Sequence, residues 1–353
     1  MKKILFGILL ALLLLIVGFL VFINTRPSYP YPEKRAMSAA DSLINREFKV
    51  QVLELKNTYD GPAVATLVHR PADSSQQRAV LYIHGYGDYF FQRHLARWYN
   101  DRGFDFYGLD LRRYGRSWLT HQQPNYVRDL TEYFEEIDRA VQVIRQQGPD
   151  HFLLLNGHST GGLIASLYCD AGPGRGEIDG LFLNSPFLDF NAPRSMERAI
   201  EFFAWLGRWQ PRGTVAGGDE SMYTKTLHED YFGRWDFNTN WKPLESFPVT
   251  LGWLRAIEHG HSRIEDRLDI ECPILVLHSD HSSYDKSDIE LMQRTDAVLD
   301  VREIHERAPW LGDDVEVRAV PGTVHDVFLS DPAALEGAYD ALGEWLERFQ
   351  KNG

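Results

Sequence analysis

The stretch LLLNGHSTGGLIA, residues 153–165, sets Ser159 between Gly157 and Gly161 where an apolar run gives way to a helical pattern. A strand that turns this sharply into a helix lifts a serine hydroxyl clear of a sheet, and the flanking glycines make the turn sterically possible. A hydroxyl is a weak nucleophile at neutral pH, so chemistry at Ser159 requires a base, a carboxylate to orient that base, and donors for a developing oxyanion. The donors are expected from HGYG, residues 84–87, directly after the run RAVLYI. The backbone amides of Tyr86 and of Thr160, which follows the serine, would supply them. The base is expected at His325 in VPGTVHDVFLS, because among thirteen histidines it alone stands on a loop just past the last strand-like run. The carboxylate should follow the run PILVLHS, where Asp280, Asp285, Asp288, Asp296 and Asp300 all compete. The chemistry would be acyl transfer through an acyl-enzyme, with no cofactor. His84 and His158 read as packing or hydrogen-bonding residues. His259 and His261 lack a partnering carboxylate pattern and read as surface residues, so no metal is expected.

Positioning these groups requires a sheet. From Phe48 onward, short β-branched and aromatic runs alternate with helical patterns, the signature of an α/β fold with a mostly parallel sheet. FKVQVLEL and AVATLVHR read as an opening antiparallel pair; RAVLYIHG, FDFYGLDL, HFLLLNG, GLFLNSP, PILVLHS and VEVRAVP complete eight strands. FQRHLARWYNDRG, residues 126–147, LIASLYCD and residues 331–349 carry helical spacing between or after them. The segment between Asp189 and Ile274 is too long for a simple connection. It is crowded with rings, among them Phe202, Phe203, Trp205, Trp209, Tyr231, Phe232, Trp235 and Trp241.

HGYGDY, GLDLRRYGRS, GHSTG, LFLNSPFLDF and GTVHD together resemble the lysophospholipase and monoacylglycerol lipase-like α/β-hydrolases, a group often labelled serine aminopeptidase-like. The resemblance spans roughly residues 50–350 and implies an α/β-hydrolase fold, helices on both faces of the sheet, and a helical cap at about 190–268. Such relatives carry the acid three residues past a glycine that ends the strand; here Ser279 replaces that glycine and Ser282 occupies the acid's place. TDAVLDVREI, residues 295–304, looks like the family's acid turn displaced downstream by an insertion. This favours Asp296, which stands 29 residues before His325, over Asp280, which stands 45 before it, with Asp300 third. The resemblance implies a serine hydrolase cleaving carboxylic esters, of monoacylglycerols or lysophospholipids if the ring-rich cap roofs the cleft. Two other readings remain: a peptidase of the same fold, for which Glu258 or Glu265 would hold a free amino group, and a catalytically silent ligand-binding protein.

The N-terminus differs from the rest. Ile4–Ile23 is a run of twenty residues without a charge, about 30 Å long as a helix, which matches a bilayer's hydrocarbon core. VGFLVFINTRP lacks the small-residue ending of a cleaved signal, so residues 1–23 are expected to be a transmembrane anchor. Lys2 and Lys3 favour an N-terminus inside, which places the catalytic domain outside the cytoplasm of a single-pass protein, as on a bacterial inner membrane. Residues 24–44, with Pro27, Pro30 and Pro32, read as a linker to a domain at 45–350. A net charge of −13 argues against a nucleic-acid partner. Cys169 and Cys272 read as small packing residues.

Overall fold

The computed structural model describes residues 39–349 except 75–76, 150, 191–193, 217–220 and 286. Helix α1 (Ala39–Glu47) leads into β1 (Lys49–Glu54), β2 (Val64–Arg70), β3 (Arg78–Ile83), α2 (Arg93–Asn100) and β4 (Phe104–Asp110). Then come α3 (Phe134–Gln147), β5 (Phe152–His158), α4 (Thr160–Ala171) and β6 (Gly180–Asn184). After β6 the chain makes a long excursion through α5 (Arg194–Gly207), β7 (Thr214–Ala216), α6 (Met222–Leu227), β8 (Val249–Thr250) and α7 (Leu251–Glu265). It returns as β9 (Ile274–Ser279), followed by α8 (Ile289–Met292), α9 (Val301–Arg307), β10 (Val315–Val320) and α10 (Pro332–Leu346).

Eight strands form one sheet in the order β1-β2-β4-β3-β5-β6-β9-β10. The β1–β2 and β2–β4 pairs are antiparallel, as the opening pair of runs predicts, and all others are parallel. Side chains alternate across a strand, so Leu81 and Ile83 enter one core while Val80 and Tyr82 enter the other. Helices cover both faces, which is why the central strands read as unbroken apolar runs rather than alternating ones. The strand order reverses at β3 and β5: the chain leaves β3 toward β4 and β5 takes β3's other side. Open α/β sheets bind ligands in the crevice at such a reversal, and the HGYG loop and the GHSTG turn emerge there.

The arginines of GLDLRRYGRS hold the loop beside that crevice. Arg112 is buried on Glu136 of α3 through a bidentate pair, Arg113 pairs with Asp60 at 2.7 Å, and Arg116 bridges Asp110 and Asp41 at 2.9 and 3.1 Å. Asp41 belongs to α1, and Ile44 of the same helix is fully buried. The stretch read as a linker to residue 44 therefore contains, from Ala39, a helix of the domain itself. The expected anchor at 1–23 and the rest of the linker lie outside the described residues. No helix among those described is long and apolar enough to cross a membrane.

In the excursion, α7 closes on the helix that follows Ser159. A Cβ at Gly260 would stand 2.9 Å from the Leu130 side-chain end and 3.3 Å from that of Leu163, so a larger residue there would have to push these leucine side chains aside. Cys169 and Cys272 are free thiols, one buried and one half-buried, packed in the same core.

Candidate active site

Ser159 sits at the junction of β5 and α4 with φ +53° and ψ −120°, a left-handed region that a side chain adopts only when its surroundings hold it there. What holds it is contact on every side. A Cβ at Gly157 would meet the Gly161 carbonyl at 2.6 Å, and a Cβ at Gly161 would meet the His84 carbonyl oxygen at 2.3 Å. The Ser159 amide donates to the Asn184 carbonyl at the end of β6, at 3.0 Å. Thr160 opens α4, so its N–H has no intrahelical acceptor and belongs to the positive end of the helix.

His325 lies on the loop after β10, and its ring faces the same cavity as Ser159. His325 Nδ1 is 2.8 Å from Asp296 Oδ2, and the Asp296 side chain is wholly buried. The other Asp296 oxygen accepts from the amides of Val298 and Leu299, both at 2.8 Å. Ser159 Oγ and His325 face the same cavity without a hydrogen bond between them. The competing aspartates serve elsewhere. Asp280 accepts from the Gly322 amide at 3.1 Å and pairs with His281 at 2.8 Å; Asp300 caps α9 and pairs with Arg302. Asp285 closes a turn on Ser287, and Asp288 caps α8.

The position of Asp296, well downstream of Ser282, has a simple geometric basis. Ser282 and Asp296 form a parallel backbone bridge: the Ser283 amide donates to the Asp296 carbonyl and the Asp296 amide to the His281 carbonyl, both at 2.9 Å. The chain leaves at Ser282, makes its excursion, and returns beside its point of departure. Ser282 Oγ stays behind as a brace, donating to the Leu299 carbonyl and accepting from the Val301 amide.

The HGYG loop packs against Ser159, since a Cβ at Gly85 would stand 3.1 Å from Ser159 Cβ. Buried His84 pins it: Nδ1 bonds the Gly85 carbonyl at 2.8 Å, and Nε2 accepts from the Leu111 amide at 3.0 Å. Tyr86 donates its hydroxyl to the Pro248 carbonyl at 3.1 Å, tying the loop to the segment above it. His158 is buried, its ring 5.0 Å from that of His325, and burial pushes its imidazole below the ordinary value.

Two groups escaped the sequence reading. Asp326 accepts from Asn184 at 2.7 Å and Gln92 at 3.1 Å, and its own amide donates to the Tyr223 hydroxyl at 3.0 Å. Burial pushes its carboxyl up, but His158 and the amide donors outweigh this and hold it low. Its position at the end of GTVHD was the available signal. Asp88, two residues past Tyr86, forms a buried pair with Lys242 at 3.1 Å in the cavity wall. Nothing in the local pattern announces Lys242.

The cavity holds about 610 Å³ above Ser159, and its apolar wall includes Phe187, Phe190, Met222, Phe247, Trp253 and Leu299. None of the eight rings expected to roof it is among its lining residues. Phe202, Trp205, Trp209, Tyr231 and Phe232 are exposed, while Trp241 is buried in the core. The segment does cover the site, but through the residues around α6 and the start of α7. His261, expected at the surface, is buried, because Nε2 bonds the Phe187 carbonyl at 3.0 Å and both Phe187 and Phe190 pack edge-on against its ring. Glu258 and Glu265 border a separate groove behind Phe190 and do not line the cavity. Among the described residues no cluster of His, Cys, Asp or Glu is arranged to hold a metal.

Residues 74–332 match the family described as serine aminopeptidase, S33. A monoacylglycerol lipase of Mycolicibacterium smegmatis is 26% identical over 277 residues, 78% of this chain and 89% of that one. Among solved structures, a soluble variant of monoglyceride lipase from Saccharomyces cerevisiae superposes with a TM-score of 0.65 at 17% identity, covering 92% of this chain and 99% of that one. A carboxyl esterase from Bacillus coagulans gives 0.58 at 14% identity, covering 84% and 98%. The sheet order, the strained serine and the matched span agree, and the chain belongs to the serine aminopeptidase S33 family of α/β-hydrolases.

Proposed function

We propose that the protein is a serine hydrolase that cleaves carboxylic esters of lipids, monoacylglycerols or lysophospholipids, through a Ser159–His325–Asp296 triad. Ser159 attacks the acyl carbonyl while His325 accepts its proton and then delivers it to the departing alcohol. Asp296 fixes the imidazole tautomer and stabilises the imidazolium, and the amides of Tyr86 and Thr160 receive the oxyanion. Water then repeats the sequence on the acyl-enzyme. The observation that carries this reading is the apolar cavity above a strained serine, which accepts an acyl chain in its wall of Phe187, Phe190, Met222 and Leu299.

The peptidase reading requires a free acid in that cavity for a substrate amine. Among the cavity's described lining residues the one carboxylate is Asp88, already paired with Lys242. The test is labelling by a fluorophosphonate probe, lost in Ser159→Ala, together with turnover of monoacylglycerols and lysophospholipids against short peptides. Faster peptide cleavage overturns the ester reading, and absence of labelling in folded protein points to a silent binder. We also propose that residues 1–23 anchor the chain in a membrane with the catalytic domain outside the cytoplasm. Complete protection from protease in intact spheroplasts reverses that topology.

A further inference from the structure

We propose that Tyr284 and Met292, on the loop closed by the Ser282–Asp296 bridge, set the length of acyl chain that the enzyme accepts; this rests on the ester hydrolase reading. The cavity over Ser159 crosses the rim of the sheet from one face to the other. Leu299 belongs to the core on the Leu81 face, and Phe187 and Phe190 pack against that core. Phe247 belongs to the core on the Tyr82 face, as do Phe91 and Phe237, whose rings lie 5.8 and 5.9 Å from the Lys242 ammonium. The Asp88–Lys242 pair makes that half polar, which suits a departing alcohol or head group. The acyl chain is left the other half, where Phe187, Phe190, Val298 and Leu299 present apolar side chains. Two residues past each end of the parallel bridge stand Tyr284 and Val298, which line the cavity and are 52% and 36% exposed, so they form its rim.

Met292 continues this wall inward. It is buried and lines the cavity, yet it belongs to none of the hydrophobic cores among the described residues. Its apolar neighbours are therefore the facing wall and the space that an acyl chain would fill. Helix α8 carries it there by packing on α6, whose Met222 lines the same cavity. The loop is braced on several sides besides the bridge. Asp288 caps α8 at 2.9 Å, Thr295 Oγ1 donates to the Leu291 carbonyl at 2.7 Å, and Gln293 Nε2 donates to the Phe232 carbonyl of the excursion at 2.5 Å. A wall held this firmly distinguishes chains methylene by methylene, each worth about fourfold in kcat/KM.

The test is kcat/KM of the full-length protein in detergent on p-nitrophenyl butyrate, octanoate and dodecanoate. The ratio of dodecanoate to butyrate should fall at least about tenfold in Met292→Trp, whose ring displaces about two methylenes of chain. It should rise in Met292→Ala, and also in Tyr284→Ala, where the half-exposed position spares the fold. Glu290→Gln is the control: this side chain of α8 is 85% exposed, and the ratio should match wild type. A merely structural defect lowers all three esters alike and leaves the ratio where it was. An unchanged ratio in Met292→Trp, Met292→Ala and Tyr284→Ala, whether or not turnover as a whole falls, overturns the proposal and leaves the ester reading standing. A folded wild type that hydrolyses no ester of any length and escapes fluorophosphonate labelling overturns both.

Discussion

Replacing Asp296 by Asn separates charge and tautomer from shape. The side chain is wholly buried, and its Oδ1 accepts from two backbone amides at 2.8 Å, so an asparagine should keep its oxygen on those amides. The amide nitrogen then faces His325 Nδ1 in place of the carboxylate oxygen that stood 2.8 Å away. An N–H there can only donate, so it stabilises the tautomer protonated on Nε2, which cannot accept the proton of Ser159. The imidazolium formed during attack also loses its counter-charge in a buried setting. Together these are expected to lower kcat about 10,000-fold, about 5.4 kcal/mol of barrier, with little change in KM. Asp280→Asn is the control, because its carboxylate serves the Gly322 amide and His281 at the rim. It should retain turnover within a few-fold. The assay is p-nitrophenyl ester hydrolysis with active sites counted by fluorophosphonate labelling. Near-normal turnover in Asp296→Asn alongside collapse in Asp280→Asn would refute the assignment and the argument from the Ser282–Asp296 bridge.

Gly161→Ala places a methyl 2.3 Å from the His84 carbonyl oxygen and 2.5 Å from that of Ile83, backbone that cannot swing aside. Thermal unfolding should show a loss of at least about 1–3 kcal/mol, with weakened labelling of Ser159. Arg112→Ala leaves the buried Glu136 carboxylate unpaired and should cost about 3–5 kcal/mol in chemical denaturation, whereas Arg112→Met with Glu136→Leu should recover much of it. Glu303 holds its proton more tightly folded than unfolded, so it favours the fold below the ordinary glutamate range and loses that contribution as pH rises through about 7. The melting temperature of wild type relative to Glu303→Gln should therefore fall from about pH 5 to about pH 8; a rise would contradict the sign. His94 and His261, pushed down to about 4 chiefly by burial, act the other way. Between about pH 6.5 and about pH 4 the unfolded chain binds protons that these rings refuse, so acidification through that window should lower stability, less so in His94→Gln.

The eight strands were legible because both faces of the sheet are covered, and a strand buried on both sides must be apolar throughout. Ser159 and His325 were legible for a related reason: each sits on a turn with steric demands that write glycines beside it. Asp296 could be singled out from several aspartates only through the likeness of TDAVLDVREI to the family's acid turn, because a carboxylate on a loop leaves no periodic trace and its location depends on a backbone bridge between residues fourteen apart. Helix α1 was hidden by the prolines before it, and its role rests on Asp41 meeting Arg116 across 75 residues. The aromatic cap misled in the other direction. FFAWLGRW has helical spacing, but spacing does not say which face turns inward, and Phe202 and Trp205 turn out. His261 could not be placed because its partner is a backbone carbonyl, which every residue carries.

The bridge between Ser282 and Asp296 makes the intervening loop a closed siding rather than part of the main line. Because its two ends are tied to each other, a change in the length of the loop between them leaves the carboxylate docked to the same imidazole. A serine standing where the family pattern expects an acid can then mark a detour in the chain, with the carboxylate returning fourteen residues downstream.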